Sequence, residues 1–334
     1  MKLHISAVIC THNRANYLRK AIRSLVNQTL PKEEYEILVI DNASTDNTRE
    51  IILGEFSHIS NLRYIYENKL GANHARNIGL ANSAGKYVAY LDDDAIASDQ
   101  WLEKILNVLH TCKPTVGCVG GRVELIWESV RPLWLSNELL GWLAMINWTA
   151  QPAVLSGTQY LASVNIAFPK RLLEDMGGFD PRLGRRGSNL LSNDEILIQR
   201  QLQSRGYELY YDPSIVVSHH VSASRLNRKW FVRRAFWQGV SDIKMQQILC
   251  PPKSRELLQG AVAHIRKIMK DMCGGHIFPA AVYNHIRAMK LGAMMSCAYG
   301  VGIVVQAIRE ALRDYAASLR MRLLNHLHNL KTLS

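Results

Sequence analysis

The sequence predicts an α/β protein with a mostly parallel central sheet, flanking helices and a basic helical extension at its C-terminal end. Short apolar runs alternate with segments of helical periodicity over the first 115 residues. Each apolar run ends in a polar turn, which is typical of strands joined by helical crossovers. From about residue 226 onward the pattern is mainly helical and rich in Lys and Arg.

The first half predicts four strands with helices between them. The strand runs are 5–10, 35–40, 62–66 and 87–91, and the helical runs are 17–25, about 46–56 and 72–84. The second part predicts shorter strands around a Trp-rich stretch, at 116–125, 162–168, 207–211 and 215–218. We therefore expect one large domain over 1–240, with halves 1–115 and 116–240, and a helical extension over 241–334.

Composition narrows the environment and the kind of partner. The formal net charge of +12 over 334 residues indicates an anionic partner, such as a nucleotide, nucleic acid or an anionic membrane surface. Six cysteines occur without a CxxC pair or zinc-finger spacing, so we expect reduced thiols in a cytoplasmic protein. The first residues lack the apolar core of a secretory signal and lead directly into a strand.

Carboxylates follow two of the predicted strands. Asp41 ends the second strand run, and Asp92, Asp93 and Asp94 follow the fourth. In an open α/β sheet, ligands bind beyond the carboxyl ends of the strands. Adjacent carboxylates repel one another unless a cation lies among them, and a divalent ion on phosphate oxygens would serve. The alternative is a solvated turn or helix cap.

Four motifs in order resemble family 2 glycosyltransferases, which have the GT-A fold, a Rossmann-like α/β sheet. They are Ala7–Arg14, Val39–Thr48, Gly71–Gly79 and Tyr90–Asp94, similar to the opening strand, nucleotide loop, basic helix and DxD motif of that family. The resemblance continues to about residue 240 and is closest to a bacterial polysaccharide type. It implies an inverting transferase whose residues 1–115 bind a nucleotide-sugar and whose residues 116–240 bind the acceptor.

The resemblance also implies roles on the donor side. Asp41 would bind the donor base, with Thr11 and Asn13 lining the same pocket, and a carboxylate suits the imide N–H of uracil. Arg76 would neutralise the donor phosphates, or alternatively form a structural ion pair with an aspartate. Asp92 would contact the ribose or a metal-bound water, Asp93 would line the donor site, and Asp94 would ligate Mg²⁺ or Mn²⁺.

The catalytic base has two candidates, because Asn193-Asp194-Glu195 stands where the family has Glu-Asp. Leu197 and Arg200 stand at the family spacing from Asp194, which favours Asp194 over Glu195. Near a helix start the helix dipole keeps a carboxylate ionised, so it can accept a proton. The alternative is a helix cap, which is compatible with a base.

His219 follows an apolar strand run and is a further candidate metal ligand, or else a hydrogen-bonded structural residue. Trp127, Trp134, Trp142 and Trp148 could stack on a sugar, sit at a bilayer interface or belong to the core. The uncharged stretch 291–308 could lie on a membrane, pack on the catalytic domain or span the bilayer.

These patterns together predict a glycosyltransferase for cell-surface polysaccharide or glycolipid synthesis, of hexosyl- or N-acetylhexosaminyltransferase type. The expected partners are a UDP-sugar, a saccharide or lipid-linked acceptor and an anionic membrane surface at the inner face of the cell membrane. A nucleotidyltransferase would need a glycine-rich phosphate loop, whereas the first loop reads Thr-His-Asn-Arg. A nucleic-acid binder is disfavoured because the sequence has no such binding motif.

Overall fold

The computed structural model describes residues 3–111, 115–250 and 283–331, with residues 259 and 263 standing alone between the last two ranges. The chain forms two compact units, Met1–Asn227 and Arg228–Ser334. The predicted boundary at residue 240 lies within the first helix of the second unit. Cys10, Cys118 and Cys250 are free thiols, while Cys112 and Cys273 lie outside the described residues.

The first unit is an α/β domain. Its strands are β1 (Ile5–Thr11), β2 (Tyr35–Asn42), β3 (Leu62–Glu67), β4 (Tyr87–Asp92), β5 (Ala95–Ala97), β6 (Val116–Trp127), β7 (Ala153–Val154), β8 (Asn165–Pro169) and β9 (Glu208–Val221). Its helices are α1 (Ala15–Val26), α2 (Thr48–Glu55), α3 (Ala72–Asn82), α4 (Trp101–Thr111), α5 (Lys170–Asp175) and α6 (Asp194–Ser204). Two 3-10 helices cover Asn137–Leu143 and Ala223–Arg225.

The described strands form one mixed sheet in the order β3-β2-β1-β4-β8-β6-β9-β5, with β7 paired to β9. The predicted alternation of strands and helices gives the parallel half, β3-β2-β1-β4. Every residue of β2 is buried, which is typical of a parallel strand covered on both faces. On α1, Leu18, Ile22 and Leu25 are fully buried at helical spacing and pack toward this sheet.

Strand directions place several strand ends at one edge of the sheet. β8 is antiparallel to both β4 and β6, so β4 and β6 run in the same direction. β9 is parallel to β6. The carboxyl ends of β1, β2, β3, β4, β6 and β9 therefore share one edge, here called the carboxyl edge. Register pairs Thr11 with Asp41 and Cys10 with Asp92 at that edge.

β9 differs from the sequence-based expectation, which divided it into runs 207–211 and 215–218. The turn-forming residues between the runs do not end the strand but form an irregularity in one continuous strand. The register of β6 against β9 shifts between Gly121 and Arg122. A Cβ added to Gly121 would collide with the carbonyl oxygen of Ile215, so the glycine allows the irregular segment to approach.

The second unit contains α7 (Arg228–Leu249) and α8 (Tyr283–Lys331), which pack closely. A Cβ added to Gly302 would collide with the carbonyl oxygen of Phe236, so the glycine lets the two backbones approach. The Tyr299 hydroxyl donates to Asp242 at 2.7 Å. Within α8, the segment Leu291–Asp314 has a mean hydropathy of 1.7 and is long and apolar enough to cross a membrane by length and composition.

Candidate active site

The three consecutive aspartates lie where β4 leaves the carboxyl edge. Asp92 ends β4, and Asp93 and Asp94 precede β5, which pairs with β9 so that Ala95 stands opposite His219. The Asp94 carbonyl accepts a hydrogen bond from the His220 N–H at 2.8 Å. Asp93 and Asp94 are buried and Asp92 is partly exposed. Asp93 and Asp94 therefore form a buried turn between two strands of the sheet and not a solvated turn.

Two arginines offset the charge of the buried aspartates. Arg14 Nη1 donates to Asp93 Oδ1 at 3.0 Å and to Asp94 Oδ2 at 2.7 Å. Arg225 Nη2 donates to Asp94 Oδ2 at 3.2 Å, and the Thr11 hydroxyl donates to Asp93 Oδ2 at 2.8 Å. Because buried like charges are costly, these donors explain how the two carboxylates can lie side by side.

The two buried carboxyls differ in their acidity. Burial raises the pKa of Asp93 to about 6; the charge of Asp94 adds to this rise, while Arg14 and the Thr11 hydrogen bond oppose it. Burial also opposes ionisation of Asp94, but His219, Arg14 and Arg225 together hold its pKa well below the usual range. Asp94 is therefore the carboxylate that stays ionised at neutral pH.

His219 is oriented by three neighbours. Its Nδ1 lies 3.1 Å from the carbonyl oxygen of Leu143, which can only accept, so Nδ1 carries the ring proton. Its Nε2 lies 3.3 Å from Asp94 Oδ1 and 3.4 Å from Arg225 Nη1. With Nδ1 bonded to Leu143, Nε2 is the nitrogen that faces Asp94, and it can bear either a second proton or a lone pair.

Asp94 and His219 are compatible with a shared divalent cation. Two ligands at right angles, each about 2.1 Å from an ion, lie about 3.0 Å apart, close to the separation of Asp94 Oδ1 and His219 Nε2. The described residues contain no cluster of three or more His, Cys, Asp or Glu side chains suited to a metal ion. Phosphate oxygens and water would have to complete the coordination of such an ion.

Arg76 connects Asp92, at the carboxyl edge, with Asp194 of α6. It lies on α3 and is largely buried, and its Nη1 donates to Asp194 Oδ2. Its Nη2 lies 3.6 Å from Asp92 Oδ1, and the guanidinium stands 5.3 Å from the centre of the Phe179 ring. The ion pair that the sequence left open as an alternative is therefore present, and binding of donor phosphates by Arg76 stays a prediction.

Asp194 is the first residue of α6, as predicted, and it is buried. Burial raises the pKa of the adjacent Glu195 to about 8; the Asp194 charge and a hydrogen bond to Asp194 add to this rise, while Arg76 opposes it. Near neutral pH, Glu195 therefore holds a proton that it can donate to Asp194.

A further part of the carboxyl edge is centred on Asp41, which the sequence predicts to bind the donor base. Its Oδ1 accepts from the Ser44 N–H at 3.0 Å, and its Oδ2 accepts from the Tyr64 hydroxyl at 2.8 Å. Asn13 adopts a positive φ of 54°, and its Oδ1 accepts from the Thr45 N–H at 2.7 Å. Asn13 therefore fixes the loop after β2, and Asp41 retains lone pairs for a further donor.

Comparison with known proteins decides the family. A model of glycosyl transferase family 2 matches residues 6–177, just over half of the chain. The chain belongs to this family. The matched segment contains β1 to β4 and the three aspartates, so the predicted resemblance is confirmed, and the protein is a glycosyltransferase.

Relatives in this family have described activities. A glucosyl-dolichyl phosphate glucuronosyltransferase of Haloferax volcanii is 24% identical over 255 residues, covering 75% of this chain and 80% of the relative. A dolichyl N-acetylglucosaminyl phosphate diacetamido-dideoxyglucuronosyltransferase of Methanococcus voltae is 25% identical, covering 71% and 72%. A pre-mycofactocin glycosyltransferase of Mycobacterium tuberculosis is 28% identical, covering 70% and 46%.

Solved structures confirm the GT-A fold of this family 2 chain. A mannosyltransferase of Pyrobaculum calidifontis with GDP-Man and Mn²⁺ has a TM-score of 0.57 at 20% identity, covering 94% of this chain and 88% of its own. GalNAc-T7 with UDP, GalNAc and Mn²⁺ has a TM-score of 0.52 at 17% identity, covering 77% and 51%. At these identities the likeness concerns the fold alone.

The predicted residues of this glycosyltransferase fall into three connected groups. Thr11, Asp93, Asp94 and His219 form one group, and Asp92, Arg76 and Asp194 form the second. The third is Asp41, near the end of β2, with Asn13, after β1; both contact the loop after β2. Arg14, Arg225 and Tyr64 also contact these aspartates, and no sequence pattern predicted a role for them. The position of Arg14, directly after β1 at the carboxyl edge, was a usable signal. Arg225 and Tyr64 contact aspartates far away in sequence, and no local pattern marks them.

Arg14→Gln is expected to lower the free energy of unfolding by about 1–3 kcal/mol, because Asp93 and Asp94 lose a shared cation. The expected loss of unfolding free energy is modest because the Arg14 side chain is 34% exposed, and water screens its charge. Urea denaturation of the variant and the wild type measures it. The loss should shrink below about pH 6, because Asp93 is then protonated and needs the guanidinium less.

The matched control is Arg19→Gln on α1, the helix that begins directly after Arg14. Arg19 pairs with Glu55 at the surface, where an ion pair contributes less than about 1 kcal/mol. Equal losses in both variants, with no dependence on pH, would show that Arg14 does not stabilise the buried carboxylates.

Proposed function

We propose that this glycosyltransferase is an inverting enzyme that moves a sugar from a UDP-sugar to a hydroxyl of a saccharide or lipid-linked acceptor. The observation that carries the proposal is the contact of Arg76 with both Asp92 and Asp194. This contact supports Asp194 as the base, because Asp194 then lies beside Asp92 at the carboxyl edge, where a donor diphosphate would bind. Donor carbon and acceptor hydroxyl can therefore meet in front of α6.

In the proposed reaction, Asp194 removes the proton from the acceptor hydroxyl. The oxygen then attacks the anomeric carbon from the face opposite the phosphate, and the bond from that carbon to the nucleoside diphosphate breaks. A single displacement inverts the configuration and needs one base, without a covalent sugar intermediate. Arg76 orients the base, and Glu195 can donate a hydrogen bond to it.

Asp94 and His219 would hold the divalent cation, Mg²⁺ or Mn²⁺. When bound, the cation would offset the charge that develops on the leaving diphosphate. Arg14 and Arg225 both contact Asp94 Oδ2 and leave Oδ1 facing His219. The two arginines thus orient the proposed ligand and add positive charge where the diphosphate would lie.

The UDP part of the proposal rests on Asp41 with Thr11, its neighbour in register on β1. A carboxylate at this edge can accept the imide N–H of uracil, and Asn13 holds the adjoining loop. Asp92 would contact the ribose or a metal-bound water, and Asp93 would line the same site. The neighbouring structures bind GDP-Man and UDP, so the choice of nucleotide is the part that the experiment below must establish.

The lipid-linked acceptor is supported by two relatives whose names contain dolichyl phosphate. The net charge of +12 and the apolar segment Leu291–Asp314 are compatible with work at a membrane surface. We therefore place the enzyme at the cytoplasmic face of the cell membrane, in polysaccharide or glycolipid synthesis of the bacterial type.

A panel of UDP- and GDP-sugars tests the proposal, with Mn²⁺ or with a chelator. The expected result is release of nucleoside diphosphate from a UDP-sugar that requires both the metal and an acceptor. NMR of the product should show an anomeric configuration opposite to that of the donor. Release of sugar 1-phosphate, with transfer of the nucleoside monophosphate, would indicate nucleotidyl transfer, and a retained configuration would rule out single displacement.

A further inference from the structure

The loop after β6 exposes two aliphatic side chains completely. Within residues 128–136, here called the β6 loop, Val130 is 91% exposed and Leu133 is 104% exposed. Single exposed apolar residues are common on protein surfaces and need no explanation. Two large aliphatic residues at full exposure, three positions apart in one loop, are the least buried large apolar side chains among the described residues.

Internal bonds hold this loop in shape. Arg131 Nε and Nη2 donate to the Leu135 carbonyl at 3.0 and 2.6 Å, and Nη2 donates to Asn137 Oδ1 at 2.8 Å. The Arg131 guanidinium also stands 5.8 Å from the centre of the Trp127 ring. While Arg131 ties the loop together, Leu133 points into solvent. The exposure is thus a property of an ordered loop.

The β6 loop borders the candidate active site. β6 ends at the carboxyl edge, and the Glu128 N–H at the start of the loop donates to the Val221 carbonyl of β9 at 3.2 Å. Further along the chain, the Leu143 carbonyl accepts from His219. The segment between these two anchors therefore projects from the edge where Asp94 and His219 lie.

Basic side chains are exposed along the same edge. Lys69 and Arg186 lie close enough to His74, in the first turn of α3, to lower its pKa, in addition to burial. The Arg185 carbonyl accepts from Ala72 at the start of that helix. Lys20 lies near His220 at the end of β9. The edge thus combines protruding aliphatic groups with positive charge, which complements an apolar layer beneath anionic headgroups.

We propose that the β6 loop inserts Val130 and Leu133 into an anionic lipid surface and so holds the carboxyl edge against the membrane. A fluid bilayer accepts two separate protruding side chains without a matching pocket, whereas a protein partner would need one. The inference rests on the proposed lipid-linked acceptor, because docking at this edge would bring such an acceptor to Asp194.

A fluorescent probe at the loop tip tests the inference in the full chain. The environment-sensitive dye NBD is attached at Leu133→Cys in a Cys250→Ser background, because Cys250 is an exposed native thiol. The control carries the dye at Leu53→Cys, since Leu53 is 50% exposed on α2 near the end away from the carboxyl edge. Vesicles of phosphatidylcholine, with and without phosphatidylglycerol, are the ligand, and signal from the labelled background protein is subtracted.

The expected result is a several-fold rise and blue shift of emission at position 133 with phosphatidylglycerol vesicles, and little change at position 53. The double variant Val130→Ser, Leu133→Ser should then lose transfer to an acceptor in vesicles but keep transfer to a short water-soluble acceptor. Unchanged emission at position 133 would overturn the inference. This holds whether the protein binds the vesicles through another part of its surface or does not bind them. Failure of wild-type transfer to both acceptors would instead contradict the proposed function, since the emission measurement needs no turnover.

Discussion

Asp194→Asn is expected to reduce sugar transfer on the order of 10²-fold or more while donor affinity stays near the wild-type value. Asparagine keeps the size of the side chain and an oxygen that Arg76 can contact, but it cannot take the proton of the acceptor hydroxyl. The buried position of Asp194 at the start of α6 makes it the proposed base. Single-turnover transfer, with donor affinity measured by calorimetry in parallel, gives both quantities.

Glu195→Gln is the matched control for this variant. Since the pKa of Glu195 is raised to about 8, most of this carboxyl is protonated near pH 7, and glutamine reproduces its ability to donate to Asp194. We therefore expect a much smaller effect on transfer. Collapse of transfer in Glu195→Gln with near-normal Asp194→Asn would assign the base to Glu195. Full activity in both would remove the base from α6.

Asp94→Ala is expected to weaken donor binding in the presence of Mn²⁺ by about 10²-fold or more and to abolish its dependence on the metal. Its carboxylate is the group that stays ionised in the buried cluster and the one nearest His219 Nε2. Calorimetric titration with UDP, with and without Mn²⁺, measures the change. Circular dichroism before titration shows whether the variant retains its secondary structure.

Asp99→Ala provides a control for the loss of one negative charge close in sequence. Asp99 is exposed just after β5 and should bind UDP like the wild type. His219→Ala should reproduce part of the Asp94→Ala effect if both residues hold the ion. An Asp94→Ala protein that binds UDP with unchanged metal dependence would remove Asp94 from the proposed metal site.

Hydrophobic periodicity and the polar residues at strand ends were sufficient to predict the parallel half of the sheet. The runs at 5–10, 35–40 and 87–91 are strands because continuous apolar runs suit a sheet covered on both faces. The turn-forming residues between 211 and 215 predicted two strands where β9 is continuous. The continuous strand depends on the space that Gly121 of β6 leaves for Ile215, and β6 is far away in sequence. Local patterns contain no such information.

The site residues also divide into those that local sequence patterns predict and those that only contacts between distant segments reveal. The aspartates could be predicted because each stands at the end of a recognisable strand. Their partners could not, since Arg225 reaches Asp94 across 131 positions and Tyr64 reaches Asp41 across 23. An arginine in a polar segment has the same local pattern whether it lies on the surface or neutralises a buried carboxylate. Only the folded chain distinguishes these two cases.

The position of Arg76 between Asp92 and Asp194 couples the binding of the donor to the binding of the acceptor. A donor phosphate that attracts the Arg76 guanidinium toward Asp92 weakens the ion pair between Arg76 and Asp194. The Asp194 carboxylate can then accept a hydrogen bond from the acceptor hydroxyl more readily. Because linkage between two binding events is reciprocal, a bound acceptor then favours the donor to the same degree. Steady-state kinetics should accordingly show a sequential mechanism in which each substrate lowers the dissociation constant of the other.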